Sequence, residues 1–82
     1  MTLPPVVPAS ENGERGIGIR LNGEPHRLER AMTLRELVES VGCDPQAVAV
    51  EVNGEIVRRA RLAATDVASG DSIEIVRFVQ GG

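Results

Sequence analysis

The 82-residue sequence predicts one small α+β domain: a mixed sheet of four to five strands covered on one face by one main helix. Three observations carry that prediction. Aliphatic residues recur with a period of two at Ile17, Ile19 and Leu21, and short β-branched runs follow at 48–52 and 72–79. Two Asn-Gly pairs, Asn22-Gly23 and Asn53-Gly54, follow such runs and signal tight hairpins. One stretch, opening at Thr33, carries apolar residues at helical spacing.

Residues 1–15 read as a flexible leader, because Pro4, Pro5 and Pro8 interrupt regular structure and residues 10–15 are polar and turn-rich. The first strand starts at Ile17. Asn22-Gly23 ends it, since both central positions of a type I′ turn need positive φ. Residues 25–29 return as a second strand, with Pro25 suited to a sheet edge. Thr33 and Glu36 have the spacing of a capping box. Leu34, Leu37, Val38 and Val41 then share one face of a helix of about two to three turns. Gly42 is placed to end that helix in the left-handed conformation, and Pro45 confirms the break.

Residues 48–52 form the third strand, Asn53-Gly54 reverses the chain, and Ile56-Val57 gives a short fourth strand. Residues 62–67 have enough apolar content to pack back on the core as a helical turn or loop. Gly70-Asp71 turns the chain into the last strand, 72–79. The helix links the first hairpin to the remainder, so the first and last strands can lie side by side and parallel. This is the β-grasp arrangement, expected over residues 16–80 and followed by a diglycine arm at 81–82.

Composition narrows the function. A net charge of -3, with no aromatics interleaved among its basic residues, argues against a nucleic-acid or anionic-membrane partner. All nine basic residues are Arg, so the chain offers no ε-amine for a Schiff base or an acyl-lysine link. One cysteine excludes a disulfide framework and multi-thiolate zinc sites. Cys43 follows a helix C-terminus, where the dipole disfavours a thiolate, and reads as a small buried or half-buried hydrophobe. His26, the lone histidine, reads as a solvated surface residue. Paired carboxylates, a His/Cys constellation and a phosphate loop are all missing, so no catalytic residue and no metal site is assigned and an enzyme is disfavoured. The opening residues do not resemble a signal peptide and no apolar run reaches the length of a membrane span, which makes a cytoplasmic setting the default.

Side chains alternate along the last strand. Ile73 and Ile75 pair as the core face under the helix, which leaves Glu74, Val76 and Phe78 on a face that nothing else in the chain covers. Phe78, the sole aromatic, would then be exposed, marking a partner-binding face. Arg58, Arg59 and Arg61 are either a solvated edge or a dock for an acidic partner. Beyond Phe78, Gln80, Gly81 and Gly82 make a thin arm that can present the Gly82 carboxylate to another protein.

Together these residues resemble the ThiS group of ubiquitin-like sulfur carriers of thiamin biosynthesis. The likeness covers residues 17–82. It rests on Asn22-Gly23, the Thr33-Leu34-x-x-Leu37 helix start, Val48-Ala49-Val50-x-x-Asn53, Ile56-Val57-x-Arg59, Gly70-Asp71-x-Ile73-Glu74-Ile75-Val76, and Gly81-Gly82. The family commonly has an aromatic residue where this chain has Leu62, and its leader is usually shorter. The resemblance implies a carrier rather than an enzyme, a monomer when free, with no bound cofactor. A ubiquitin-activating-like adenylyltransferase would use ATP with Mg to adenylate Gly82. A sulfur donor protein would convert the adenylate to a thiocarboxylate, and thiazole synthase would take the sulfur. The small subunit of molybdopterin synthase is the nearest alternative, but that family tends to carry Pro-Pro shortly before its diglycine and residues 77–80 hold no proline. Another sulfur carrier, or a ubiquitin-like module without covalent chemistry, would share the fold.

Overall fold

Alternating aliphatic residues build five strands around one helix within residues 16–78, the part of the chain that the computed structural model describes. The leader expected at 1–15, together with Val79, Gln80, Gly81 and Gly82, lies outside these described residues. The strands are β1 (Ile17–Leu21), β2 (Glu24–Leu28), β3 (Val48–Val52), β4 (Glu55–Val57) and β5 (Ser72–Arg77), and the helix is α1 (Leu34–Ser40). They lie in the order β2-β1-β5-β3-β4. β1 and β5 are parallel, and the other neighbours are antiparallel. This is the expected β-grasp topology, with β5 at the centre.

Local chemistry explains each junction. Both Asn-Gly pairs occupy the left-handed region, Asn22 and Gly23 at φ 51 and 85, Asn53 and Gly54 at φ 53 and 87. Pro25 stands on β2, which pairs with β1 alone and so loses no ladder bond to the missing N–H on its free side. At the start of α1 the Glu36 N–H donates to Thr33 Oγ1 at 3.1 Å and the Thr33 N–H donates to Glu36 Oε1 at 2.9 Å. At its end Gly42 takes φ 86, the Gly42 N–H donates to the Glu39 carbonyl and the Cys43 N–H to the Val38 carbonyl. That double bond pattern is a Schellman motif, and it turns Cys43 inward against the core.

α1 lays Leu34, Leu37 and Val38 on a sheet face made by Ile19, Leu28, Val48, Val50, Ile73 and Ile75. Leu62 and Val67 close the side of this core. Five details differ from the sequence reading, the first being that the last strand, expected over 72–79, ends at Arg77, with Phe78 already outside the strand. Val41 is 38% exposed, because the helix ends at Ser40 and Val41 serves as its C-cap. Residues 45–47 form a short 3-10 turn, which the Asp44 carboxylate caps by accepting from the Gln46 N–H at 2.9 Å. A second 3-10 helix, Arg59–Ala64, starts earlier than the expected 62–67 and carries Leu62 under α1. His26 is half-buried rather than fully solvated, because it pairs with Ile19 on the helix side of the sheet.

Candidate partner-binding face and carboxy-terminal exit

The two Asn-Gly turns also grip the central strand. β1 makes its last pairing with β5 at Leu21 and Ile73. The Asn22 N–H then donates to the Ile73 carbonyl at 2.8 Å. Its side chain continues the ladder: Oδ1 accepts from the Ile75 N–H at 2.8 Å and Nδ2 donates to the Ile75 carbonyl at 3.4 Å. A side-chain amide thus replaces the next residue of a strand that has already turned away. On the other edge Asn53 Oδ1 accepts from the Ser72 N–H at 2.9 Å, and Asn53 Nδ2 donates to Asp71 Oδ1 at 3.0 Å. The Phe78 N–H donates to the Ala47 carbonyl at 2.9 Å, so the pairing with the β3 side continues one residue past β5, to the last described residue.

Replacing Asn22 by Ala removes both side-chain bonds and puts a poorly suited residue at positive φ. We expect a loss of about 1–3 kcal/mol in denaturant unfolding. Asn22→Asp keeps the acceptor for the Ile75 N–H and should lose less.

Strand parity sets the face opposite α1. Glu74, Val76 and Phe78 point there from β5, as expected from the alternation, while Ile73 and Ile75 are buried. The register Ala49↔Val76 and Glu51↔Glu74 brings Ala49 and Glu51 of β3 beside them, and Glu51↔Ile56 adds Ile56 of β4. Ile56, Val76 and Phe78 are 73%, 57% and 48% exposed. Phe78 lies on the face of the sheet opposite Leu62, which is buried among the residues packed with α1. Ile56, Ala49 and Glu51 escaped the sequence reading because their place beside β5 depends on long-range register. The only local signal was their alternation with Val48, Val50 and Val52.

Arg58, Arg59 and Arg61 are exposed, and Arg58, two residues after Ile56 in extended backbone, continues the parity of β4 toward this face. They begin the 3-10 helix after β4, and Arg59 lines an open groove of about 410 Å³ with Arg35, Pro45, Gln46 and Leu62. Ala47, next to Gln46, is the residue whose carbonyl holds the Phe78 N–H. The last described residue, Phe78, is thus bonded to the neighbour in sequence of Gln46, which lines that groove. Among the described residues the one ion pair joins Arg35 to Glu39 at 3.2 Å, and no group of side chains there could hold a metal ion. This arrangement suits presentation of a tail to other proteins.

Known proteins share both the sequence and the fold. The ThiS family model matches residues 19–82, a span that runs through Gly81 and Gly82. The chain is 39% identical over 62 residues to the sulfur carrier protein ThiS of Thermus thermophilus, covering 76% of this chain and 95% of that one. It is 44% identical over 64 residues, 78% of its own length, to a thiazole synthase of Magnetococcus marinus. It spans about a fifth of that protein and of a second thiazole synthase from Paramagnetospirillum magneticum. The crystal structure of the thiamine biosynthesis protein ThiS from Geobacter metallireducens superposes with a TM-score of 0.69 at 30% identity, covering 80% of this chain and 100% of that one. With the family model matched over most of its length, the chain belongs to the ThiS family.

Proposed function

We propose that this chain is a sulfur carrier of thiamin biosynthesis whose reacting group is the α-carboxylate of Gly82. The observation that carries the reading is the ThiS family match, which runs through the diglycine that follows a clasped central strand. A carboxylate is a poor electrophile until one oxygen becomes part of a good leaving group. A ubiquitin-activating-like adenylyltransferase, using ATP with Mg, joins that oxygen to the α-phosphorus and expels pyrophosphate. The terminal sulfur of a persulfide on a donor protein then attacks the acyl carbon and AMP departs. A thiol attacks the donor sulfur of the resulting acyl disulfide, forming a disulfide with the donor and releasing the thiocarboxylate. The thiocarboxylate is a soft nucleophile, and thiazole synthase receives its sulfur. The matches to two thiazole synthases support that partner.

The carrier contributes delivery rather than chemistry. Gly81 and Gly82 have no Cβ, so the arm fits a narrow channel and tolerates unusual φ/ψ beside a nucleotide. Glu74, Val76 and Phe78 dock the adenylyltransferase, and the arginine edge of Arg58, Arg59 and Arg61 meets acidic residues of a partner. The test is pyrophosphate exchange by the host's adenylyltransferase with ATP and Mg. Exchange should require the chain and saturate with it. Exchange that proceeds equally without the chain, or not at all with it, contradicts the reading.

A further inference from the structure

At the centre of the sheet face opposite α1, which no other described residue covers, two carboxylates stand opposite each other. The bonds Phe78 N–H to Ala47 and Asn53 N–H to Ser72 fix the hydrogen-bonded pairs of the β3–β5 ladder. Counting by two, Ala49/Val76 and Glu51/Glu74 are hydrogen-bonded pairs as well, with Cα atoms about 5.5 Å apart. Like charges directly opposite on one face destabilise a sheet. Neither carboxylate is in an ion pair among the described residues, where the single ion pair lies on α1; Arg58, the nearest basic residue by register on β4, stands one row away, beside Ala49. Arg20 is the basic residue of the same face on β1, but its Nη1 donates to the Gly23 carbonyl at 2.9 Å. Arg27 stands one strand further away, opposite Gly18. Ile56 flanks the acidic pair in its own row, and Val76 and Ala49 form the next row.

We infer that Glu51 and Glu74 together receive a basic side chain, arginine or lysine, from the adenylyltransferase that docks on this face. This deepens the proposed function and rests on it. Charge complementarity selects the occupant. An acidic pair set among exposed aliphatic residues rejects an all-apolar or acidic partner and accepts one with a cation amid apolar side chains. A guanidinium fits best, since its fork of donors can serve two carboxylates at once. A second copy of the chain offers a poorer match, because the same face would bring Glu51 and Glu74 against their own equivalents.

The pair makes a prediction whose two halves have opposite sign. Glu51→Gln/Glu74→Gln keeps shape and removes both charges. The free carrier should become more stable, its Tm rising by about 1–6 °C. In pyrophosphate exchange with the host's adenylyltransferase, KM for the carrier should rise about 10- to 100-fold at low salt while kcat stays unchanged. Raising the ionic strength should narrow the gap between variant and wild type. An unchanged KM overturns the inference, and so does a falling Tm, which would make the pair a structural element of the fold. Wild-type dimers that Phe78→Asp disperses in size-exclusion chromatography would also overturn it, by making a second copy the occupant. If the wild-type chain supports no exchange, the proposed function fails first; a failure confined to the double variant leaves that function standing.

Discussion

Deleting Gly82 is expected to lower adenylation by at least about 100-fold and leave Tm unchanged. One residue of extended chain spans about 3.3–3.6 Å, so the shortened arm ends that far short of the nucleotide. Misplacement of a reacting group by even about 1 Å costs on the order of 100-fold in rate. Among the described residues the buried core runs from Ile19 to Ile75, and Gly82 has no side chain to add to it. Appending one residue after Gly82 should be as damaging, since it replaces the reacting carboxylate with an amide. The measurements are pyrophosphate exchange and thermal unfolding of each variant beside wild type. A carrier that loses its last glycine and still exchanges at the normal rate would show that the terminus is not the site.

The two faces of β5 should respond in opposite ways to the same substitution. Ile73 is fully buried, and Ile73→Asp places a carboxylate with no partner in an aliphatic core. The cost exceeds about 4 kcal/mol, a large share of the 5–15 kcal/mol typical of a whole domain. We expect a chain without a cooperative unfolding transition. Phe78 is half exposed on the other face, and Phe78→Asp should shift stability by no more than about 0.5 kcal/mol. Its loss should instead weaken binding to the adenylyltransferase by about 30-fold, the size of a 2 kcal/mol contact. Unfolding by Phe78→Asp, or normal folding by Ile73→Asp, would mean that the strand is out of register by one residue.

Much of this domain can be read directly from its residues because the determining chemistry is local. Positive φ at Asn22-Gly23 and Asn53-Gly54, the reciprocal bonds of Thr33 and Glu36, and the left-handed Gly42 each need only a few neighbouring residues. The alternation of 73–78 likewise separates the buried from the exposed face without reference to another strand. What escaped reading depends on distant pairing. Asn22 looks like a turn former, yet its amide bonds the backbone of Ile75, 53 residues away. Asn53 similarly reaches Ser72 across the other edge. The opposition of Glu51 to Glu74 and the placement of Ile56 follow from register, which no short window encodes. The 3-10 turn at Pro45–Ala47 is too short to leave a periodic signal, although Asp44 before Pro45 is a recognisable cap. Of the candidate site, the apolar strand face was legible, whereas the acidic pair within it and the side-chain clasps that aim the strand were not.

The central claim is that sulfur resides on the Gly82 carboxyl group, and the chain is well suited to a direct test. Trypsin cuts after Arg77, and the resulting fragment, residues 78–82, contains neither Met nor Cys. Replacing one carboxylate oxygen by sulfur adds about 16 Da, the same increment as Met sulfoxide, but Met1 and Met32 lie outside that fragment. Protein incubated with ATP, Mg, the adenylyltransferase and a sulfur donor should yield a 78–82 fragment heavier by about 16 Da, and omission of ATP should abolish the shift. An unmodified fragment, with any added mass confined to the peptides that hold Met1 or Met32, would contradict the account.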